Sequence, residues 1–417
     1  MNHQYTINQL PNGLRVLHVP YPNAPDVFLT ITGKGGFRSE QSDEAGAAHF
    51  LEHLFLDGTK KRPSTVELNT FIENEGGSRQ GLTGPERVEY SARILRENAD
   101  VAFEFLSDIF MNSLLNEKDV EKERKVITQE TARQRDNPTA LLDRLSRSTL
   151  YPDQAVGRTL LDAEPNLAAI SQELLTTYRD RLYNASNFIL TIAGGIELEP
   201  AMQLANKYFG SLKQGDVVQF EPATINKSSE TSVNHADLKQ TNISISFEGY
   251  PITAPEIVTA DLLNVILGRS SSSRLSVRIR QELHLAYSIN SSVVELSDTG
   301  YFSIRSAVAE DNVKQTITEI QKVIETLIKD GITKEELRRA KNKSLASLFI
   351  SMENIPSRAR FLTNQLLWKD KIEDVEERAE RVRQTTIDEV NQVARKIFSD
   401  QPKIVILTKN PAKIQVP

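Results

Sequence analysis

No cysteine occurs in the 417 residues, which excludes disulfides, thiolate metal sites and cysteine nucleophiles. Long apolar runs are missing too: no window approaches the roughly 20 residues that cross a bilayer as a helix. The start, MNHQYTINQLPNGLRVLHVP, lacks the charged head and apolar block of a signal peptide. It alternates instead like a strand broken by a Pro-Asn-Gly turn. A cytoplasmic protein with no membrane partner is therefore expected. An excess of basic charge is also lacking, since 50 Lys and Arg stand against 56 Asp and Glu for a net charge of -6. No Lys/Arg run breaks that balance, so a nucleic-acid partner is not expected. What is present, 39% apolar and 25% charged residues, describes a folded chain, and the length calls for at least two domains.

The two halves of the sequence resemble each other. VFLTITGKGG at 27–36 matches NISISFEGYP at 242–251, LLNEKDVEKERKVITQE at 114–130 matches GITKEELRRAKNKSLAS at 331–347, and NFILTIAGG at 187–195 matches KIVILTKNP at 403–411. All three pairs lie about 216 residues apart in the same order, which points to an internal duplication with a period far longer than a solenoid repeat. Strand-like segments mix with amphipathic helical ones without strict β-α-β alternation, and the glycine fingerprint of a dinucleotide fold is absent. The expected class is α+β: two homologous domains, each a mostly antiparallel sheet packed with helices. The expected boundaries are 1–214 for the first domain, 215–240 for a polar linker and 241–417 for the second.

The stretch AAHFLEHLFLDGT at 47–59 places polar groups in an apolar helix. On a helix His49 and His53 sit one turn apart, and Glu52, three residues after His49, joins the same stripe. Phe50, Leu51, Leu54 and Phe55 cover the other sides, so the helix is expected to be buried. Two imidazoles and a carboxylate in such surroundings cost several kcal/mol if left unpaired, and a divalent cation satisfies them together. The plainer alternative is a hydrogen-bonded core histidine. The order H-x-x-E-H is the inverse of the H-E-x-x-H zincin motif, and a catalytic zinc takes three protein ligands, so a third must come from elsewhere. In EKERKVITQE, Glu123 and Glu130 lie two helical turns apart on nearly one face, and either can supply it.

At these residues the chain resembles the inverzincin peptidases, the family of pitrilysin, insulin-degrading enzyme and the mitochondrial processing peptidases. The likeness runs from NGLRVL through GRTLL at 157–161 to the helix beginning TKEELRRAK. It implies one zinc per chain held by His49, His53 and Glu130, with Glu52 as general base and Glu123 supporting the ligands from behind. FIENEGGSRQGLTGPERVEYSARI at 71–94 resembles the family's substrate-pairing strand, which gives Gln80, Gly81 and Leu82 a substrate-binding role. The family usually has Asn-Ala where Gln80 and Gly81 stand, and an aromatic at Arg79. LGRSSSSRLSVRIRQELHLAY resembles the segment whose Arg and Tyr, here Arg280 and Tyr287, grip substrate and stabilise the oxyanion. His284 has no counterpart there and is assigned a structural role. A shift of 217 residues sets Ile266 against His49, Ser270 against His53 and Ser347 against Glu130, so the second half is expected to hold no metal.

The resemblance implies a zinc-dependent metalloendopeptidase that hydrolyses peptides or unfolded polypeptide segments inside a chamber. Its partners would be that substrate and a second copy of the chain, or a related subunit in a heterodimer. Two alternatives stand beside it. One is a catalytically silent scaffold subunit of a processing-peptidase-like complex. The other is an iron or manganese protein of a different class, which would need the Glu-x-x-His pairs of two helices that this sequence lacks.

Overall fold

The computed structural model describes residues 5–228 and 230–416. Met1–Gln4 of the expected N-terminal strand, and Ser229 of the expected linker, lie outside the described residues. Contacts divide the chain into two compact units. Unit 1 comprises Met1–Arg133, Arg158–Glu221 and Met352–Ile372, and unit 2 the rest.

Unit 1 is built on six strands: β1 (Thr6–Gln9), β2 (Arg15–Pro20), β3 (Asp26–Lys34), β4 (Ser78–Thr83), β5 (Arg87–Leu95) and β6 (Phe188–Gly194). Their order is β1-β2-β6-β3-β5-β4, with β2 and β6 parallel and every other pair antiparallel. The central strands are rich in β-branched and aromatic residues and are buried on both faces. Alternation then sorts their side chains. Leu29, Ile31, Leu190 and Ile192 join the large core that includes the helix Ala47–Phe55. Leu17, Val19, Phe28, Ile189 and Ala193 pack on the opposite face against Ala359, Leu362 and Leu366 of the helix Ile355–Lys369.

Unit 2 has five strands: β7 (Glu230–His235), β8 (Thr241–Glu248), β9 (Ala286–Glu295), β10 (Gly300–Val308) and β11 (Lys403–Thr408). Their order is β7-β11-β8-β10-β9, with only β7 and β11 parallel. That is the order β2-β6-β3-β5-β4 of unit 1, with the parallel pair in the same place. The duplication is thus visible in topology, and β1, hairpinned to β2 around Gly13 at φ 89°, is the addition.

The boundaries differ from the sequence expectation. Gln134–Gly157 belongs with unit 2 and Met352–Ile372 with unit 1, so 1–214 and 241–417 are not the compact bodies. The cause is one helix in each half whose apolar side covers a sheet face formed by the other half. Leu142 of the helix Pro138–Leu150 packs on Val405 and Leu407, as the helix Ile355–Lys369 packs on β2, β3 and β6. These two helices correspond: each follows an Asn N-cap, Asn137 and Asn354, which lie 217 positions apart. The segment 215–240 is not all connection either, because the division falls at Glu221 and β7 lies inside it. Among the described residues, no helix is long and apolar enough to cross a membrane.

Candidate metal centre

The helix Ala47–Phe55 begins at Gly46, which has φ 104° and no side chain to cap the turn. Glu40 does so from a distance: its two oxygens accept the Gly46 N–H at 3.0 Å and the Ala48 N–H at 2.9 Å. Phe50, Leu51, Leu54 and Phe55 are fully buried, and Phe55 stacks on Tyr90 of β5 at 5.1 Å. Those apolar faces fix the helix's rotation and turn the third side, with His49, Glu52 and His53, toward the helix Glu117–Arg135. That helix buries Val120, Glu123, Ile127 and Thr131, a stripe at helical spacing. Glu130 lies one residue off the stripe and close to the imidazoles.

His49 Nε2 stands 3.4 Å and His53 Nε2 3.5 Å from the same Glu130 oxygen, and the two rings meet edge to face at 4.6 Å. His53 Nδ1–H donates to Glu123 Oε2 at 2.9 Å, which leaves the His53 Nε2 lone pair free to face Glu130. Glu52 Oε2 lies 3.6 Å from His49 Nδ1. Glu123 and Glu130, which spacing alone left interchangeable, thus meet different atoms.

The donor set fits zinc. Donors about 2.0–2.2 Å from a common tetrahedral centre stand about 3.3–3.6 Å apart, and both imidazole-to-carboxylate distances fall in that window. One donor atom each from His49, His53 and Glu130 lie within 4.8 Å of one another, the only such trio among the described residues. The electrostatics favour a cation as well. Burial works to lower the His49 pKa, but the Glu130 and Glu52 carboxylates outweigh it and push it up to about 9. Burial works to raise Glu52, yet the His49 imidazole and the Thr83 hydroxyl hold it below its ordinary value. Glu130 is lowered chiefly by His49, against burial.

The remaining sequence candidates fall in two places. β4, at the edge of its sheet, carries Gln80, Gly81 and Leu82. Gly81 faces the motif helix so closely that a Cβ there would lie 2.8 Å from Glu52 Cγ and 3.0 Å from Leu56 Cδ1. Gln80 points to the other face, where its Oε1 accepts from Arg360 Nη2 at 3.2 Å while Arg360 Nε donates to Glu89 at 2.7 Å. Arg79 turns back to the helical side and donates to Asn69 at 2.6 Å. Arg280 and Tyr287 lie together in unit 2, the guanidinium 5.6 Å from the ring centroid, with Tyr287 81% exposed. His284 is exposed in the short link between the helical segment Ser276–Glu282 and β9, at φ 52°, a backbone role.

Three participants were not read from the sequence. Thr83 lies two residues beyond Gly81 and so on the same strand face, a signal that period-2 alternation carries. Glu40 and Arg360 reach their partners through the tertiary fold, and nothing local marks them.

Comparison with known proteins gives a consistent picture. A family model described as insulinase, peptidase family M16, matches residues 15–164, and one described as the peptidase M16 inactive domain matches residues 169–344. A protein of Rickettsia felis described as an uncharacterized zinc protease is 34% identical over 98% of this chain and 99% of its own length. The zinc protease YmxG of Bacillus subtilis, likewise described as uncharacterized, is 28% identical over 95% of this chain and 96% of its own. The fold matches the crystal structure of a protease from Helicobacter pylori with a TM-score of 0.90 at 22% identity, covering 97% of this chain and 99% of that one. A Pseudomonas fluorescens structure described as a peptidase M16 inactive domain gives 0.91 at 18% identity, with 98% of each chain covered. At those identities the structures speak for the fold alone.

Proposed function

This chain belongs to the insulinase family of peptidases, family M16, and from that premise we propose that it is a zinc-dependent endopeptidase acting on peptides or unfolded polypeptide segments. The observation that carries this reading is the convergence of His49, His53 and Glu130, with Glu52 beside them.

His49 Nε2, His53 Nε2 and the Glu130 carboxylate would hold the metal, one ion per chain. When bound, zinc supplies Lewis acidity, polarising a peptide carbonyl and lowering the pKa of water toward about 7. Glu123 keeps the His53 proton on Nδ1, so that Nε2 stays a donor. Glu52 is ionised at neutral pH and takes a proton from the attacking water on its carboxylate, then delivers it to the leaving amine. An extended substrate adds to the free edge of β4 around Gln80, Gly81 and Leu82 through main-chain hydrogen bonds, which explains a preference for unfolded chains. Arg280 and Tyr287, both exposed, act as donors to the substrate and to the negative charge that develops on its carbonyl oxygen. A cytoplasmic homodimer whose two copies enclose the substrate completes the proposal. The silent-scaffold alternative draws on Gln80 and Gly81, which stand where the family usually has Asn-Ala, and on the inactive-domain description matched by residues 169–344; the four converging groups, which a scaffold does not need, weigh against it.

Metal analysis combined with a quenched peptide library tests the reading. Glu52→Gln is expected to keep its zinc and lose about 10²–10⁴-fold in cleavage, while His49→Ala loses the metal. Wild-type cleavage by Glu52→Gln would remove the base, and full metal occupancy in His49→Ala would remove the ligand.

A further inference from the structure

The duplication places a second helix pair where unit 1 has its metal centre. In unit 2 the pair is the helix Ile257–Asn264, extended by the π-helical segment Val265–Arg269, and the helix Lys334–Met352. At the 217-residue shift Ile266 falls at His49, Ser270 at His53 and Ala340 at Glu123. A cavity of about 40 Å³ lies there, lined among others by Ile266, Ser270, Ser272, Glu336, Arg339 and Lys343. That is room for a water or an ion of a few heavy atoms.

The charge around this cavity is the reverse of that in unit 1. Three carboxylates, Glu52, Glu123 and Glu130, surround the imidazoles there. Here the lining holds one carboxylate, Glu336, and it is already engaged. Arg274 grips it through Nε at 2.6 Å and Nη2 at 2.8 Å, and the Thr333 N–H donates to it at 2.8 Å. Arg339 and Lys343 bring two positive charges from one face of the helix, four residues apart. Neither has a carboxylate within ion-pair distance among the described residues, although Glu335 on the neighbouring turn feels the Arg339 charge. Like charges at this spacing oppose the helix unless something negative lies between them. The Ser270 and Ser272 hydroxyls stand 3.4 Å apart at the same cavity, and Ser270 also donates to the Val265 carbonyl at 3.4 Å; these are long contacts from which an anion in the cavity would draw the hydroxyl hydrogens.

We propose that this cavity is an anion site, the charge-inverted twin of the metal centre, in which Arg339, Lys343, Ser270 and Ser272 bind a small oxyanion. Charge-assisted contacts from the two cations supply affinity, and the hydroxyls supply orientation. Inorganic phosphate and a peptide-terminal carboxylate share this chemistry. The proposal does not depend on the metal or on peptidase activity.

Thermal unfolding of the full chain, followed while inorganic phosphate replaces chloride at constant ionic strength, tests it. The wild-type midpoint is expected to rise by about 2 °C at ten times the dissociation constant. Arg339→Gln/Lys343→Gln is expected to lose that rise, and Ser270→Ala/Ser272→Ala to need several-fold more phosphate for it. General stabilisation by phosphate acts on all three proteins alike and cancels in the comparison. An equal rise in wild type and the Arg339→Gln/Lys343→Gln protein, or no rise in wild type, overturns the proposal. Competition separates the sources: acetylglycine displacing phosphate while acetylglycinamide does not assigns the site to a carboxylate terminus, and displacement by neither assigns it to inorganic oxyanions.

Discussion

Gly81 has no side chain, and Glu52 occupies the space that one would take. Gly81→Ala puts a methyl group 2.8 Å from Glu52 Cγ with Leu56 closing the other side, so the carboxylate must turn away. Misplacing a reacting group by about 1 Å costs on the order of 10²-fold, so kcat/KM is expected to fall about that far while zinc content stays at the wild-type level. Unchanged kcat/KM would show that Glu52 tolerates the methyl group. Glu123→Gln makes a different test, because the amide oxygen can still accept the His53 Nδ1–H bond while the charge is gone. Zinc affinity is expected to drop about tenfold, the low end for losing such support, measured by chelator competition; no change would limit Glu123 to a packing role. The motif residues were legible because one helix fixes the relation of His49, Glu52 and His53, whatever surrounds it. The split between Glu123 and Glu130 was not legible from spacing, since seven residues return to the same face. Only the imidazole atom that each carboxylate meets tells them apart.

The motif helix shows how an element can depend on a residue outside it. Its first turn has Gly46 where a capping side chain would stand, and Glu40 supplies the missing acceptors. Burial pushes the Glu40 carboxyl up to about 8, against the Ala48 and Gly46 N–H groups and Arg158, which favour its charge. An unfolded glutamate titrates near 4.5, so between about 4.5 and 8 the folded chain holds a proton that the unfolded chain has released. Glu40 therefore contributes stability that is full below about 4.5, declines as pH rises through that window and is spent above it. Glu40→Gln is expected to remove this slope, which is at most about 1.4 kcal/mol per pH unit. Denaturant unfolding of both proteins at about pH 5 and about pH 8 reads it, and an equal loss in the two proteins would assign the slope to other groups. Helices and strands themselves were readable because 3.6- and 2-residue periodicities are local. A cap contributed from eight residues upstream is not.

At the scale of the whole molecule, the duplication was legible because two strand segments and one helix recur in the same order about 216 residues on, and the strand orders of the two sheets agree with it. The exchange of helices between halves was not, because an amphipathic pattern says that a helix covers something apolar and not which sheet it covers. Residues 1–221 alone therefore lack a layer: Leu17, Val19, Phe28, Ile189 and Ala193 lose Ala359, Leu362, Leu366 and Leu367. That fragment is expected to aggregate, and fusing residues 352–372 to it through a flexible linker is expected to return it to the soluble fraction. A soluble, cooperatively unfolding 1–221 fragment would show that the helix is dispensable. The same arrangement sets a clock during synthesis. The covering helix leaves the ribosome roughly 150 residues after Glu221, and at about 5–20 residues per second each new copy spends roughly eight to thirty seconds with that sheet face bare.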